Sequence, residues 1–323
     1  MSPLTNRKAA LLLASSMILI LPIFSRSEYL LHILILTVLS ATLAQGWNLI
    51  GGYGGQLSLG HAAFYGIGAY SGAVLYGGFA STMSIPSVGL SPWVSLVLSG
   101  LLAGLAGLVI GAICFRLKGP YFLISTLALA QVLQVIFLNA REYTNGAVGV
   151  LMSSPPNIII PNLVIIDFST KIPYYVIGLI MMAFATVIAS YFSSSRFGYR
   201  LMASRADSDA AEGLGVNVFG LNMVALFVSA FFTGLAGCFY LYYMRFVDPF
   251  LVFGIGISVQ AVVLTYFGAS GTVFGPIVGA FVLVPMLEVL RLMIGIGGPL
   301  VYGILLVIIV MALPGGVLRK IKL

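Results

Sequence analysis

The chain has 323 residues, of which 60% are hydrophobic and 7% are charged, and its mean hydropathy is +1.13. So much apolar surface does not fit inside a soluble core, so the composition indicates an integral membrane protein. The net charge of +7 does not indicate a nucleic-acid partner, because the basic residues are spread over many loops. Cys114 and Cys238 both lie in apolar segments, which excludes a disulfide framework, and no residue cluster suggests a metal site.

Long apolar runs without charges predict an all-α polytopic bundle of about ten transmembrane helices with Gly-rich breaks. A span needs about 20 apolar residues, and no Asp, Glu, Lys or Arg occurs between Glu28 and Arg116. The runs are continuously apolar, whereas the strands of a transmembrane barrel alternate polar and apolar residues. For the segment 249–287, one long tilted helix or a re-entrant pair would fit as well as two helices. With Pro, Gly and charges as boundaries, we expect helices at 9–25, 29–50, 61–82, 93–115, 119–140, 173–193, 222–243, 250–268, 274–290 and 298–314, within a single transmembrane domain over 1–323.

Positive charges divide unequally between the two sides of this bundle. With the amino terminus inside and ten alternating helices, ten Lys and Arg residues fall on inner segments and five on outer segments. This agrees with the excess of positive charge on cytoplasmic loops. We therefore expect a multi-pass protein of the inner (plasma) membrane with both termini in the cytoplasm, an inner loop at about 194–220 and an outer loop at about 141–172.

A Gly-rich break with polar side chains follows the second expected helix, in the stretch "GGYGGQLSLGH" that begins at residue 51. Backbone at membrane depth leaves the helix only where protein or a water-filled cavity satisfies its N–H and C=O groups. The break is therefore either a buried packing defect or the lining of a path for a small polar solute. A lone His at a helix start is more often a hydrogen-bonded structural residue than a ligand. The path candidates here are Gly55, Gln56, Ser58, Gly60 and His61.

A second break, "YFGASGTVFGPIVGA" at 266–280, adds Ser270 and Thr272 to the path candidates. Paired interruptions in the two halves of a membrane protein indicate a transport pathway.

Acidic residues such as Glu28 and Glu288 fall close to expected helix ends, which argues against intrinsic coupling to protons or sodium. The sequence has no G-x-x-x-x-G-K-[ST] loop and no hydrolase motif, so we expect a non-catalytic chain without its own cofactor, driven by a partner.

The long charged inner loop contains the stretch "SRADSDAAEGLGVNVFG", which predicts a short helix. Ser204 or Asp207 can cap its start, and Gly213 or Gly215 can end it. Acidic residues in its first turns suit the helix dipole. We expect a small rigid element that faces the cytoplasm, and small alanines on one face suit docking into a cleft of another protein.

Four stretches of the chain together resemble one transporter family. "GGYGGQLSLGHAAFYGIGAY" and "AAEGLGVNVFGLNMVALFVSAFFTGLAG" are similar to the signature and the coupling loop of LivM-type permease subunits of branched-chain amino-acid ABC importers. "VVLTYFGASGTVFGPIVGAFVL" resembles a late segment of that family, although Phe267 and Gly268 replace its usual Gly-Gly pair. With "RLKGPYFLISTLALAQ", the resemblance extends from about residue 40 to the carboxy terminus.

The resemblance implies a heteromeric transporter. Its other subunits would be a LivH-type permease, two cytoplasmic ATP-binding cassette ATPases that bind the ATP, and a periplasmic solute-binding protein. The inner loop would then be the element that docks in the ATPase cleft. Carried onto this chain, the coupling residues are Arg205, Asp209, Ala210, Ala211, Glu212, Gly213 and Gly215.

Two alternatives remain open from the residues. Importers of urea or short-chain amides have similar permeases, so the fold is compatible with another cargo. A stand-alone secondary transporter or channel is a different class, and it would move solute without partners. A membrane-embedded enzyme would need a cluster of acids, His or Cys at one membrane surface, and the sequence has none.

Overall fold

The computed structural model describes residues 27–77, 88–117, 119–152, 158–160, 164–166, 168, 170–294 and 303. The expected helix at 9–25, both chain termini and, apart from residue 303, the expected helix at 298–314 lie outside these residues. The described helices are α1 (Glu28–Trp47), α2 (His61–Tyr76), α3 (Pro92–Cys114), α4 (Pro120–Asn139), α5 (Arg141–Thr144), α6 (Ile172–Ser194), α7 (Arg196–Ala206), α8 (Ser208–Gly213), α9 (Val218–Met244), α10 (Pro249–Val252), α11 (Ile255–Gly268) and α12 (Gly275–Ile294).

Seven helical segments in the described part of the chain are long and apolar enough to cross a membrane. They agree closely with the expected helices: the helix expected at 93–115 is α3, and the helix expected at 173–193 is α6. The helix α2 has 16 residues, which at about 1.5 Å per residue is shorter than the hydrocarbon thickness. The described residues thus form a multi-pass helical bundle.

The structure corrects several expected boundaries. The helix expected at 29–50 continues past residue 50 as a π-helical segment, Asn48–Tyr53. The helix expected at 61–82 ends at Tyr76 within the described residues, where Gly77 takes a φ of 81°. The helix expected at 250–268 is interrupted at Phe253 and Gly254, between α10 and α11.

Short strands modify the expected all-α fold. The strand β1 (Val150–Leu151) pairs antiparallel with β4 (Phe246–Val247), which joins the expected outer loop to the end of α9. The strand β2 (Ile158–Ile160) pairs antiparallel with β3 (Val164–Ile166). The described part of the expected outer loop therefore carries one complete strand pair, β2 with β3, and the strand β1, besides α5 and a 3-10 turn, Gly146–Val148.

The centre of the bundle depends on the close approach of α9 to α2 and α3. A Cβ atom on Gly68 of α2 would lie 2.1 Å from the backbone oxygen of Gly234 in α9. In the same helix pair, a Cβ atom on Gly237 would lie 2.0 Å from the backbone oxygen of Tyr65. Small residues that let backbones approach closely are the usual means of helix packing in membranes, where lipid removes the hydrophobic drive between helices.

The helix α1 with its π-helical extension is the other buried element, and it packs against α6, α9, α11 and α12. Its carboxy-terminal end therefore lies beside the junction of α11 and α12. This packing brings together the two breaks that the sequence places about 200 residues apart.

Candidate functional site: two helix breaks and a charged inner loop

The first break consists of residues 54–60, between the π-helical segment and α2. Its second residue, Gly55, has a φ of 70°, in the left-handed region where glycine is favoured. The N–H of Gln56 donates to the carbonyl of Ile50 at 3.1 Å, which closes the end of the helix. A π-helical turn directly before a break is a feature often found at functional sites.

Side chains of neighbouring helices satisfy the backbone of the first break. The N–H of Leu59 donates to Thr126 Oγ1 at 3.2 Å, and Ser258 Oγ donates to the Leu59 carbonyl at 2.7 Å. Ser258 Oγ also accepts from the N–H of Ala62 at 2.9 Å, and Trp47 Nε1 donates to the Ser58 carbonyl at 2.8 Å. These polar backbone groups are therefore satisfied by protein, as an apolar environment requires.

His61 is fully buried at the start of α2. Its Nε2 lies 2.8 Å from Ser229 Oγ of α9, and its ring meets the edge of Phe64 at a centroid distance of 5.7 Å. Its Nδ1 is buried without a hydrogen-bond partner. Among the described residues, no three His, Cys, Asp or Glu side chains are grouped so that they could hold a metal ion.

The second break consists of residues 269–274, between α11 and α12. Ala269 has a φ of 116° and Gly271 a φ of 75°, so the chain turns sharply there. Thr272 Oγ1 donates to the Ala269 carbonyl at 2.8 Å and accepts from the N–H of Gly275 at 3.1 Å. The Thr272 hydroxyl therefore fixes the turn and the first residue of α12.

Asn48 joins the two breaks. Its Oδ1 accepts from the N–H of Gly271 at 2.8 Å, and its Nδ2 donates to the Thr272 carbonyl at 2.9 Å. One turn earlier in α1, Gln45 Nε2 donates to the Val273 carbonyl at 2.6 Å. A Cβ atom on Gly52 would lie 1.9 Å from Asn48 Oδ1, so the glycine leaves the space that this contact needs.

Sequence reasoning missed Gln45 and Asn48 as functional candidates. The signal was present, because two amide side chains three residues apart lie on one face of an otherwise apolar helix. Their partners lie more than 220 residues away. We name the unit formed by Asn48, Gly52, Gly271 and Thr272 the break junction.

The inner loop contains two helices where one was expected. Of the two cap candidates, Asp207 is the N-cap of α8: its Oδ1 accepts from the N–H groups of Asp209 and Ala210, both at 3.0 Å. Gly213 is the last residue of α8, and Gly215 follows with a φ of 81°. Arg205 belongs instead to the end of α7, and its Nη1 donates to the Gly52 carbonyl of the break junction.

The tip of this loop, residues 210–215, is largely exposed. Ala211 is buried, whereas Ala210, Glu212 and Gly213 are exposed, and Leu214 is 87% exposed. A Cβ atom on Gly213 or Gly215 would meet nothing within 4 Å. The expected short helix is therefore present and has an exposed face.

The path candidates fall into two groups. Gly55 is exposed, and Gln56, Ser270 and Thr272 are half-buried. The remaining candidates, Ser58, Gly60 and His61, are buried among helices. In this conformation only the first group has substantial accessible surface.

A known family matches most of this chain. The sequence profile described as "Branched-chain amino acid transport system / permease component" matches residues 29–313. The chain belongs to this permease family. Both breaks, the inner loop and all described transmembrane helices except the first residue of α1 lie inside the matched range.

Two curated relatives are similar to the chain over most of its length. It is 30% identical over 291 residues to "High-affinity branched-chain amino acid transport system permease protein LivM" of Escherichia coli (strain K12). It is also 30% identical over 279 residues to the protein of the same name from Salmonella typhimurium (strain LT2). The matches cover 83% and 79% of this chain, but 65% and 62% of the relatives, so the chain spans less than two thirds of their lengths. No solved structure gives a significant match.

The junction makes a stability prediction for Asn48→Leu. The substitution keeps a similar volume but leaves the half-buried Gly271 N–H and Thr272 carbonyl without their side-chain partner, which costs at most about 1–3 kcal/mol per group. We expect a lower free energy of unfolding in detergent, measured by denaturant titration. The matched control is Asn139→Leu, because Asn139 is exposed and its amide donates only to the Val135 carbonyl of its own helix. Equal losses for the two variants would contradict the role of Asn48.

Proposed function

We propose that this chain is the transmembrane permease subunit of an ATP-driven ABC importer for branched-chain amino acids. The family match over residues 29–313 supports a transport role, and the printed names of the two relatives support this cargo. The observation that carries the proposal is the contact between an exposed inner loop and the break junction, made by Arg205 and Gly52. Through this contact, a protein that docks on the loop can move the break junction, which lies at the proposed solute path.

The other subunits follow from this role. A second, homologous permease of the LivH type completes the solute path, two cytoplasmic ATP-binding cassette subunits hydrolyse ATP, and a periplasmic binding protein delivers the solute. The chain itself is non-catalytic and needs no cofactor. The absence of a phosphate-binding loop from the sequence supports this division of labour.

The arrangement of the chain in the membrane follows from its charges. About ten spans, including those expected at 9–25 and 298–314, place both termini in the cytoplasm of an inner-membrane protein. The excess of Lys and Arg on the inner segments supports this orientation. It places α7 and α8 on the cytoplasmic side, where ATPases are found.

We assign ATPase docking to α8 and the turn that follows it. The exposure of Ala210, Glu212 and Gly213, the cap by Asp207 beside Asp209 and the left-handed Gly215 support this role. A helix that is fixed at both ends keeps its shape when a partner moves it. Ala211 faces inward and holds α8 against the rest of the chain.

We assign the solute path to the surface around the break junction. Gly55, Gln56, Ser270 and Thr272 supply accessible backbone and side-chain polar groups there. Ser58, Gly60 and His61 lie behind them and become part of the path only when α2 and α9 separate. Alternating access between an outward-open and an inward-open state requires such a rearrangement.

Reconstitution tests the whole proposal. The chain is placed in proteoliposomes alone, and then with its candidate LivH-type permease, ATPases and binding protein, and uptake of radiolabelled leucine and of urea is measured. We expect ATP-dependent leucine uptake by the complete assembly only. Urea uptake by that assembly would show that the cargo is urea and not a branched-chain amino acid. Uptake by the chain alone would contradict the importer role and indicate a secondary carrier or channel.

The docking role predicts a defect for Glu212→Lys. Glu212 is exposed on α8, so reversing its charge leaves the fold intact but opposes a partner surface that fits the acidic loop. We expect normal membrane insertion and loss of co-purification with the ATPases. Glu142→Lys makes the same change at an exposed position of the expected outer loop and is the control. Normal co-purification of the Glu212 variant would refute the docking role.

The path role predicts that Gln56→Cys reacts with a membrane-impermeant thiol reagent in the assembled transporter. The native Cys114 and Cys238 are buried and give little background. The control is Leu105→Cys, since Leu105 is 54% exposed in the middle of α3 but faces lipid or a partner helix. We expect rapid labelling at position 56 and slow labelling at position 105. Failure of Gln56→Cys to react in every nucleotide state would remove Gln56 from the path.

A further inference from the structure

Arg205 reaches inward from the end of α7. Although much of its side chain is exposed, Nη1 donates to the carbonyl of Gly52 at the end of the π-helical segment. A Cβ atom on Gly55 would lie 2.4 Å from Arg205 Cγ, and one on Gly271 would lie 3.0 Å from Arg205 Nη1. The arginine therefore lies against both breaks at once, in space that two glycines leave free.

Electrostatics favours a cation at this position. The last carbonyl groups of a helix have no partner within the helix, and the helix dipole places partial negative charge at that end. The segment Glu28–Tyr53 is 26 residues long, and Gly52 is its penultimate residue. A guanidinium that donates to the Gly52 carbonyl satisfies one of these groups with a charge-assisted hydrogen bond.

The contact acts on both breaks because Asn48 holds them together. The hydrogen bonds from Asn48 to Gly271 and Thr272 make the end of the π-helical segment and the second break one unit. A force applied at Gly52 is therefore transmitted to Gly271. By this route, the side chain of Arg205 links the inner loop to the turn between α11 and α12.

Arg205 is also close along the chain to the proposed docking helix, α8. Asp207, the N-cap of α8, is two residues further along the chain. The helix α7 is anchored at its start, where Ser195 Oγ accepts from the N–H of Gly198 at 3.1 Å and the rings of Phe192 and Phe197 are 5.0 Å apart. Its middle is fixed by Leu201, which is fully buried. A displacement of α8 is therefore passed to the end of α7.

We propose that Arg205 is a positioning residue that couples movement of α8 to the break junction, and that it does not itself dock in the ATPase. This inference rests on the proposed function. It separates two tasks within the inner loop, because α8 presents its face to the partner whereas Arg205 faces the bundle. The neighbouring Arg200 is different, since it lines an open groove of about 530 Å³ together with Leu214 and Asn217.

The first test needs no transport activity. Hydrogen exchange is measured on the full chain in detergent for wild type, Arg205→Ala, Arg205→Lys and the control Arg200→Ala. Loss of a charge-assisted hydrogen bond predicts exchange on the order of tenfold faster in residues 50–60 and 268–274 of Arg205→Ala. We expect intermediate exchange for Arg205→Lys, which keeps the charge, and wild-type exchange for Arg200→Ala. Unchanged exchange in both segments of Arg205→Ala and Arg205→Lys would overturn the proposal.

The second test uses the complete transporter. We expect Arg205→Ala to co-purify with the ATPases and to hydrolyse ATP, while solute uptake per ATP falls by about tenfold. Arg205→Lys recovers part of this coupling if the cation positions the junction. Loss of co-purification, as expected for Glu212→Lys, or wild-type uptake per ATP would overturn the inference. A wild-type complex without ATP-dependent uptake would instead refute the proposed function, and the exchange measurement would still decide the role of Arg205.

Discussion

Backbone groups that leave a helix in an apolar environment need hydrogen-bond partners from the protein, and Asn48 supplies them for the second break. Its amide is suited to the task, because it offers an acceptor and a donor to two successive residues of the turn. Ser258 has the same function at the first break, where its hydroxyl contacts Leu59 and Ala62. The few polar side chains of a chain that is only 7% charged are thus used to support its irregular backbone.

The same constraint explains why the glycines of this protein are concentrated at helix contacts and breaks. Gly68 and Gly234 let α2 and α9 touch through their backbones, which fixes the His61 end of α2 beside Ser229. Gly52 leaves room for the Asn48 amide. Close packing and polar support therefore depend on each other, because neither contact forms if the helices are held further apart.

In this member of the permease family, the charged inner loop contacts the break junction. The face of α8 is exposed, while Arg205 contacts Gly52 from the other end of the same loop. In the proposed function, docking and transmission are carried by different residues.

The membrane setting, most of the helices, the family and the capped helix near Asp207 could be predicted from local sequence patterns. Those features depend on local properties: the length of apolar runs, the positions of Pro and Gly, and side chains that bond to their own turn. The π-helical extension, the contact between the breaks and the inward direction of Arg205 were decided only by the tertiary structure. Each depends on partners more than 150 residues away, such as Asn48 with Gly271 and Arg205 with Gly52, and no local pattern encodes which distant carbonyl or N–H group a side chain meets.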